Sequence, residues 1–290
     1  MGKIRNAKII ILFFLILLFS MFYSCPNPVE PVTTVYIAGY YNNGSKDIAC
    51  YWKDETKVDL ETSFTSKANS IYVSGSDIYV AGYYNDGTKD IACYWKNGSK
   101  TELSADKSYA NSIYVSGSDI YVAGYYNNGT NNIACYWKNG SKTDLSTGNA
   151  SEANSIYLSG TDIYVAGYYN DGTNNIACYW KNGSKTELSP GIKGIAVSLF
   201  VSENIVYVSG AKYEPTTPAA CYWVNGVKKD LPCSGLSGAF SIVVSGEDVY
   251  IAGNGSNGLT PFACYWKNDV KVDLPCNNNG MANSIFVVRQ

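Results

Sequence analysis

Histidine is absent from all 290 residues, which excludes every mechanism built on imidazole: no Ser-His-Asp or Cys-His arrangement and no His-ligated zinc. Arginine occurs only at Arg5 and Arg289, so the bidentate clamps favoured by phosphoryl and nucleic-acid sites have almost no donors. With 22 Lys plus Arg against 24 Asp plus Glu there is no basic excess either, and nucleic acid is not an expected partner. No segment shows helical periodicity of useful length. The one long apolar run, Ile9 to Phe19, falls short of the ~20 residues a membrane span needs.

That run has a place of its own. Lys3, Arg5 and Lys8 precede it, and Ser20, Met21, Phe22 and Tyr23 follow, the layout of an export signal. Next come Ser24-Cys25, then Pro26, Pro28 and Pro31, which stop any continuing helix. The arrangement resembles a bacterial lipoprotein signal, in which the cysteine after a small residue becomes the lipidated start of the mature chain. Phe22-Tyr23 replace the usual Leu-Ala/Ser, as in the relaxed boxes of spirochaete-type lipoproteins. This resemblance implies a signal peptide over 1–24, lipidation (palmitate or a similar acyl chain) at Cys25, a tether over 25–34, and a cell-envelope location facing the periplasm or the outside. Plain signal cleavage and an uncleaved N-terminal anchor are the alternatives. Removing residues 1–24 takes away three positive charges and no negative ones, so the acyl chains, not charge, would hold the mature chain on the membrane.

The rest is repetition. Cys-Tyr-Trp recurs at Cys50, Cys93, Cys135, Cys178, Cys221 and Cys264, in steps of 42 or 43 residues. Within one copy, β-branched and aromatic runs around 69–73, 78–84, 91–96 and 100–103 are separated by Gly, Asn, Asp and Ser, the pattern of strands and turns. Asn-Gly at 97, 139, 182 and 225 suits tight hairpins, whose central residues need positive φ. Four short antiparallel strands per ~40–45 residues is the period of a propeller blade. The expected fold is all-β, a six-bladed β-propeller over 35–290. The mature chain opens on a second strand and ends on a first one, so Ala282–Val288 is expected to join the N-terminal blade and close the ring. A linear stack would instead leave half a blade at each end. The repeats resemble those of spirochaete-type lipoproteins with Tyr-rich Cys-Tyr-Trp repeats of ~43 residues. That resemblance covers 35–290 and implies an exported, propeller-like protein, but no ligand or activity.

Repeated residues have structural readings. Equivalent cysteines on a six-fold ring lie too far apart to bridge, so they are expected as buried thiols between blades. Cys233 and Cys276 occur in Leu-Pro-Cys only in the last two copies, and bridges Cys221–Cys233 and Cys264–Cys276 are open. Hairpin pairing about Asn225-Gly226 puts Cys221 opposite Asp230, three residues short of Cys233. The six tryptophans are expected to pack between blades, with their N–H groups on loop acceptors. Asp77, Asp119 and Asp162 fall in turns, and the Asn85–Asp90 stretch lacks the Asp spacing and terminal Glu of a calcium loop. No metal and no cofactor are expected.

The asymmetric feature is Gly-Tyr-Tyr-Asn. It supplies Tyr40, Tyr41 and Asn42, Tyr83, Tyr84 and Asn85, Tyr125, Tyr126 and Asn127, and Tyr168, Tyr169 and Asn170. Copy five has Ala211-Lys212-Tyr213 there and copy six Asn254-Gly255-Ser256. These residues form the candidate ligand-binding rim, on the face that carries the longer loops; packing of the rings between blades is the alternative. Three functions follow: a non-catalytic, lipid-anchored propeller that binds a protein or glycan; an envelope scaffold or surface antigen without a discrete site; and a carboxylate-dependent carbohydrate hydrolase or lyase. No unique carboxylate pair stands out for the last.

Overall fold

A computed structural model describes residues 34–213, 217–233, 235–256, 260–275 and 280–287. The signal, Cys25, most of the tether and Cys276 lie outside the described residues. Residues Tyr36–Gln290 form one unit.

Six antiparallel sheets follow in chain order. The second strands are Tyr36–Asn42, Asp77–Asn85, Asp119–Asn127, Asp162–Asn170, Ile205–Tyr213 and Asp248–Ser256. The third strands carry Cys-Tyr-Trp: Asp47–Lys53, Asp90–Lys96, Asn132–Lys138, Asn175–Lys181, Pro218–Val224 and Pro261–Lys267. Four-residue outer strands finish each blade, from Thr56–Asp59 to Val270–Asp273. Inner strands begin blades two to six: Ser66–Ser74, Ser108–Ser116, Ser151–Ser159, Gly194–Ser202 and Gly238–Ser245.

The hairpins are built as their residues dictate. Asn97 and Gly98 take φ of 49° and 83°, the left-handed pair that matches strand twist. The Asn97 side chain accepts the Ile78 N–H at 2.9 Å and donates to Asp77 at 2.8 Å. Asp77 also pairs with Lys96 at 2.9 Å, so its carboxylate is consumed by the turn. Asp119 and Asp162 repeat this with Lys138 and Lys181. Cys221 stands opposite Asp230 as expected, and no disulfide joins it to Cys233.

Each blade leans on the next. Ser70, Ser112, Ser155 and Ser198 Oγ accept amide N–H groups from Ile113, Ile156, Leu199 and Ile242 on the following inner strand, at 3.2–3.4 Å. A bulge precedes each serine, and at its apex Asn69, Asn111 and Asn154 donate to carbonyls of the next blade at 2.9 Å. The bulge drives a carbonyl against the second strand. A Cβ on Gly82, Gly124, Gly167, Gly210 or Gly253 would sit about 2.0 Å from it, so only glycine fits.

The core lies between blades. Trp137 and Cys135 of blade three are buried with Tyr79, Ala81, Ala92 and Leu103 of blade two, which places both residue types where packing was expected. The indole N–H groups differ from expectation. Trp266 donates to the Pro232 carbonyl at 3.1 Å, but those of Trp95, Trp137, Trp180 and Trp223 are buried without acceptors. For Trp223, the corresponding carbonyl, on Ser189, is taken by the Ile192 N–H.

The seam also differs. The first sheet has three strands. Residues 281–287 are not a strand, although Ile285 N–H reaches Ser241 Oγ at 3.3 Å, continuing the series that links inner strands. The segment is thus seated on blade six without pairing to Tyr36–Asn42. A cavity of about 300 Å³, lined by Tyr36, Ile37, Ala38, Ser70, Ile71 and Ser284, lies there. Consistent with this, a Cβ on Gly39 would meet only the Trp52 ring, not a carbonyl.

Candidate functional site

The two faces are built differently. On one, inner and outer hairpin turns are locked together through Asn97, Asn139 and Asn182. On the other, the second-to-third loops of blades two to five are bonded to the crossing that enters the same blade, as in Asn85 N–H to Thr65 O at 2.7 Å. All twelve rim residues lie on this loop face, where they take three different roles.

The asparagines are spent inside their own loops. Asn85 donates to Asp90 at 2.9 Å and accepts the Gly87 N–H; Asn42, Asn127 and Asn170 do the same in their copies. In the Asn85–Asp90 loop the Thr88 hydroxyl and two backbone N–H groups bind the Asp86 carboxylate, which holds its pKa down to about 2.

The second tyrosine of each pair turns outward along its own blade. Tyr41 and Tyr126 donate to Asp59 and Asp144 of the outer strand at 3.0 Å, and Tyr84 and Tyr169 to Glu102 and Glu187. A lysine of the same outer strand lies over each ring: Lys57, Lys100, Lys142 and Lys185, at 3.1–3.4 Å from the centroids. The ring is thereby clasped between an ammonium and a carboxylate. Burial, followed by the neighbouring carboxylate, pushes the Tyr84 and Tyr169 hydroxyls well above their usual range.

The first tyrosine turns the other way, toward the inner strands, reaching that of the following blade at Tyr40 and Tyr83 and that of its own blade at Tyr125. Tyr40 lies under Lys67, at 4.1 Å, and Tyr83 packs edge-on against Tyr109 at 4.8 Å. Tyr125 stacks on Tyr109 at 4.9 Å. Burial and then Glu152 raise the pKa of both Tyr125 and Tyr168. Around the mouth, the inner-strand position facing this ring reads Lys67, Tyr109, Glu152, Ile195 and Gly238 in blades two to six, and Met281 is the next residue of the sequence series. Polar and aromatic groups therefore fill the mouth over the first blades. Lys67 pairs with Asp47 at 3.3 Å, Tyr109 donates to Asp90, and Glu152 accepts from Asn132 at 2.9 Å.

Between blades five and six both members of this contact shrink. Ala211 stands where tyrosine was and Gly238 where Lys, Tyr, Glu or Ile was. The bulge asparagines are replaced as well, by Val197 and Phe240. The result is a cavity of about 290 Å³, lined by Ile195, Val197, Ala211, Gly238 and Phe240, with Leu236 on its edge. Leu236 is 52% exposed. The sequence reading identified the interruption of the tyrosine crescent but not its consequence. The signal was the coincidence, in the same two copies, of lost Tyr and lost Asn.

No family model and no curated protein matches the chain. Among solved structures it is similar to TolB from Acinetobacter baumannii, at 13% identity and TM-score 0.54, over 86% of this chain and 66% of that one. It is also similar to the beta-propeller domain of the Trilobed protease from Pyrococcus furiosus, a propeller with an open velcro topology, at 12% identity and TM-score 0.51, over 84% and 79%. This chain spans just under two thirds of the TolB chain. At such identities the likeness shows the fold, a β-propeller.

Proposed function

We propose that this is an exported propeller, held at the envelope by a lipid on Cys25, which binds a protein or glycan partner through its loop face without catalysis. The observation that carries this reading is the location of the differences between copies. The turn face repeats the same Asp-Lys-Asn lock, whereas the mouth of the loop face passes from lysine, tyrosine and glutamate to an apolar cavity. A rigid array of blades with a chemically graded loop face is a recognition surface. The acidic groups support the same reading: Asp77, Asp119 and Asp162 are locked in turns, and Asp90 and Glu152 are bonded to the mouth's own tyrosine and asparagine.

The detergent-solubilised full chain, screened against envelope extract, extracellular-matrix proteins and glycans, tests the proposal. Binding should be lost in a Tyr40→Ser, Tyr83→Ser, Tyr125→Ser, Tyr168→Ser variant that still melts cooperatively. Undiminished binding by that variant, or turnover of a polysaccharide abolished by one Asp or Glu substitution, would contradict it.

A further inference from the structure

The cavity between blades five and six has a template elsewhere in the same molecule. In blade two the corresponding space is occupied by the Tyr83 ring, packed against Tyr109 of the next blade; in blade one Tyr40 occupies it beside Lys67. In blade five the phenol is missing and Ala211 remains, while the Phe240 ring lies over Gly238 and walls the space on that side. The surrounding frame is otherwise kept: the strands pair in the same register, Ala211 with Ile195 and Ala220 as Tyr83 pairs with Lys67 and Ala92. A space vacated by a ring, in a frame built to hold that ring, is complementary to a ring.

The walls have changed in the same sense. Where Asn69, Asn111 and Asn154 donate to the next blade, Val197 and Phe240 present carbon. Where Lys67 or Glu152 brings charge, Ile195 and Gly238 bring none. Polar atoms remain in the lining on Asn254, Ser237 and Tyr213. Asn254 is nine-tenths buried, and its Oδ1 stands 3.3 Å from where a Cβ on Gly238 would lie. At about 290 Å³ the space is at the small end of ligand sites, the size for one ring and not for a chain of sugars.

We infer that the cleft between blades five and six is a binding site for a single aromatic ring of phenol type, held between Ile195, Val197, Ala211 and Phe240 with its polar end toward Asn254. The inference rests on the loop-face reading above and narrows it. Such a ring comes either as a free small aromatic or as a tyrosine side chain on a polypeptide.

The test is fluorine NMR on the detergent-solubilised full chain, with two probes: 4-fluorophenol, and a blocked Gly-Tyr-Gly peptide carrying fluorine on its ring. Saturable one-to-one binding of 4-fluorophenol is expected. Ala211→Tyr restores the residue of the other copies, fills the space from within and should weaken binding at least tenfold. Ile195→Glu, which copies Glu152 of blade four, keeps the volume open but charges the wall and should weaken it similarly, so the test does not depend on one variant folding. Binding of both probes assigns the site to a tyrosine side chain; binding of 4-fluorophenol alone assigns it to a free aromatic. No saturable binding of either probe, or equal binding by parent and both variants, overturns the inference. If a partner found in the loop-face screen still binds in that case, the broader reading stands and only this site is wrong.

Discussion

Replacing Gly167 and Gly39 by alanine compares a completed blade with the seam. At Gly167 a Cβ would fall 2.0 Å from the Glu152 carbonyl oxygen and 3.1 Å from Ala153 Cα. Both obstacles are backbone of the inner strand, paired with Gly167 through the bulge, so relief requires the strands to separate. Overpacking of that kind costs about 3 kcal/mol, the upper end of the usual range. For a chain of this size that is a fall of roughly 6–12 °C in Tm. At Gly39 the nearest atoms belong to the half-buried Trp52 ring, at 3.0 and 3.5 Å, and a side chain can yield. Alanine also restricts the unfolded chain, so Gly39→Ala should change stability by no more than about 1 kcal/mol in either direction. Thermal melts followed by near-ultraviolet circular dichroism measure both. A Gly39→Ala variant that melts as low as Gly167→Ala would refute the reasoning, because it would place a carbonyl of a closing strand against the first blade.

Two other perturbations read the interior. Cys93, Cys135 and Cys178 are fully buried, and burial pushes their thiol pKa values up. They should react with a thiol reagent only as fast as the protein unfolds; rapid modification of any of these three in the native chain, located by peptide mapping, would contradict the inter-blade packing. Burial, then Tyr72 and Tyr157, raises the Tyr114 pKa to about 12, and Tyr109, Tyr125 and Tyr168 are raised too. The unfolded chain therefore releases these protons first. Their contribution to stability is present below pH about 10 and is lost as the pH climbs through the folded values. Tm should fall from pH about 10 upward in step with the unfolding-linked absorbance of tyrosinate. A flat Tm across that range would contradict the assigned burial.

The blades were legible because strand period, Asn-Gly turns and the Cys-Tyr-Trp marker all repeat. Each strand needed only short-range rules, and the register Cys221 opposite Asp230 followed from the hairpin alone. The two roles within each tyrosine pair were not legible. Alternation says that Tyr83 and Tyr84 face opposite ways, but not that Tyr84 meets Glu102 and Lys100 while Tyr83 meets Tyr109 of the next blade. The first set lies two strands away and the second in another repeat. The same limit applies to the cavity, whose walls come from blades five and six and whose opening depends on Ala211 and Gly238 being small together. At the seam, the final copy of the inner-strand pattern, Asn283-Ser284-Ile285, was expected on the first blade, whereas the Ile285 N–H reaches Ser241 of blade six. Pairing with Tyr36–Asn42 is a separate contact that the pattern alone does not secure.

The claim that recognition belongs to the loop face is tested most directly by blocking one face at a time. In a Cys233→Ser, Cys276→Ser background, which removes the half-buried thiol and the thiol of the last copy, a bulky polyethylene glycol maleimide is attached either at Thr173→Cys on an exposed loop or at Thr161→Cys on an exposed turn of the same blade. Binding of the partner from the screen should be abolished by the polymer at 173 and unchanged by the polymer at 161. Loss of binding from 161 with binding retained from 173 would place recognition on the turn face and contradict the account.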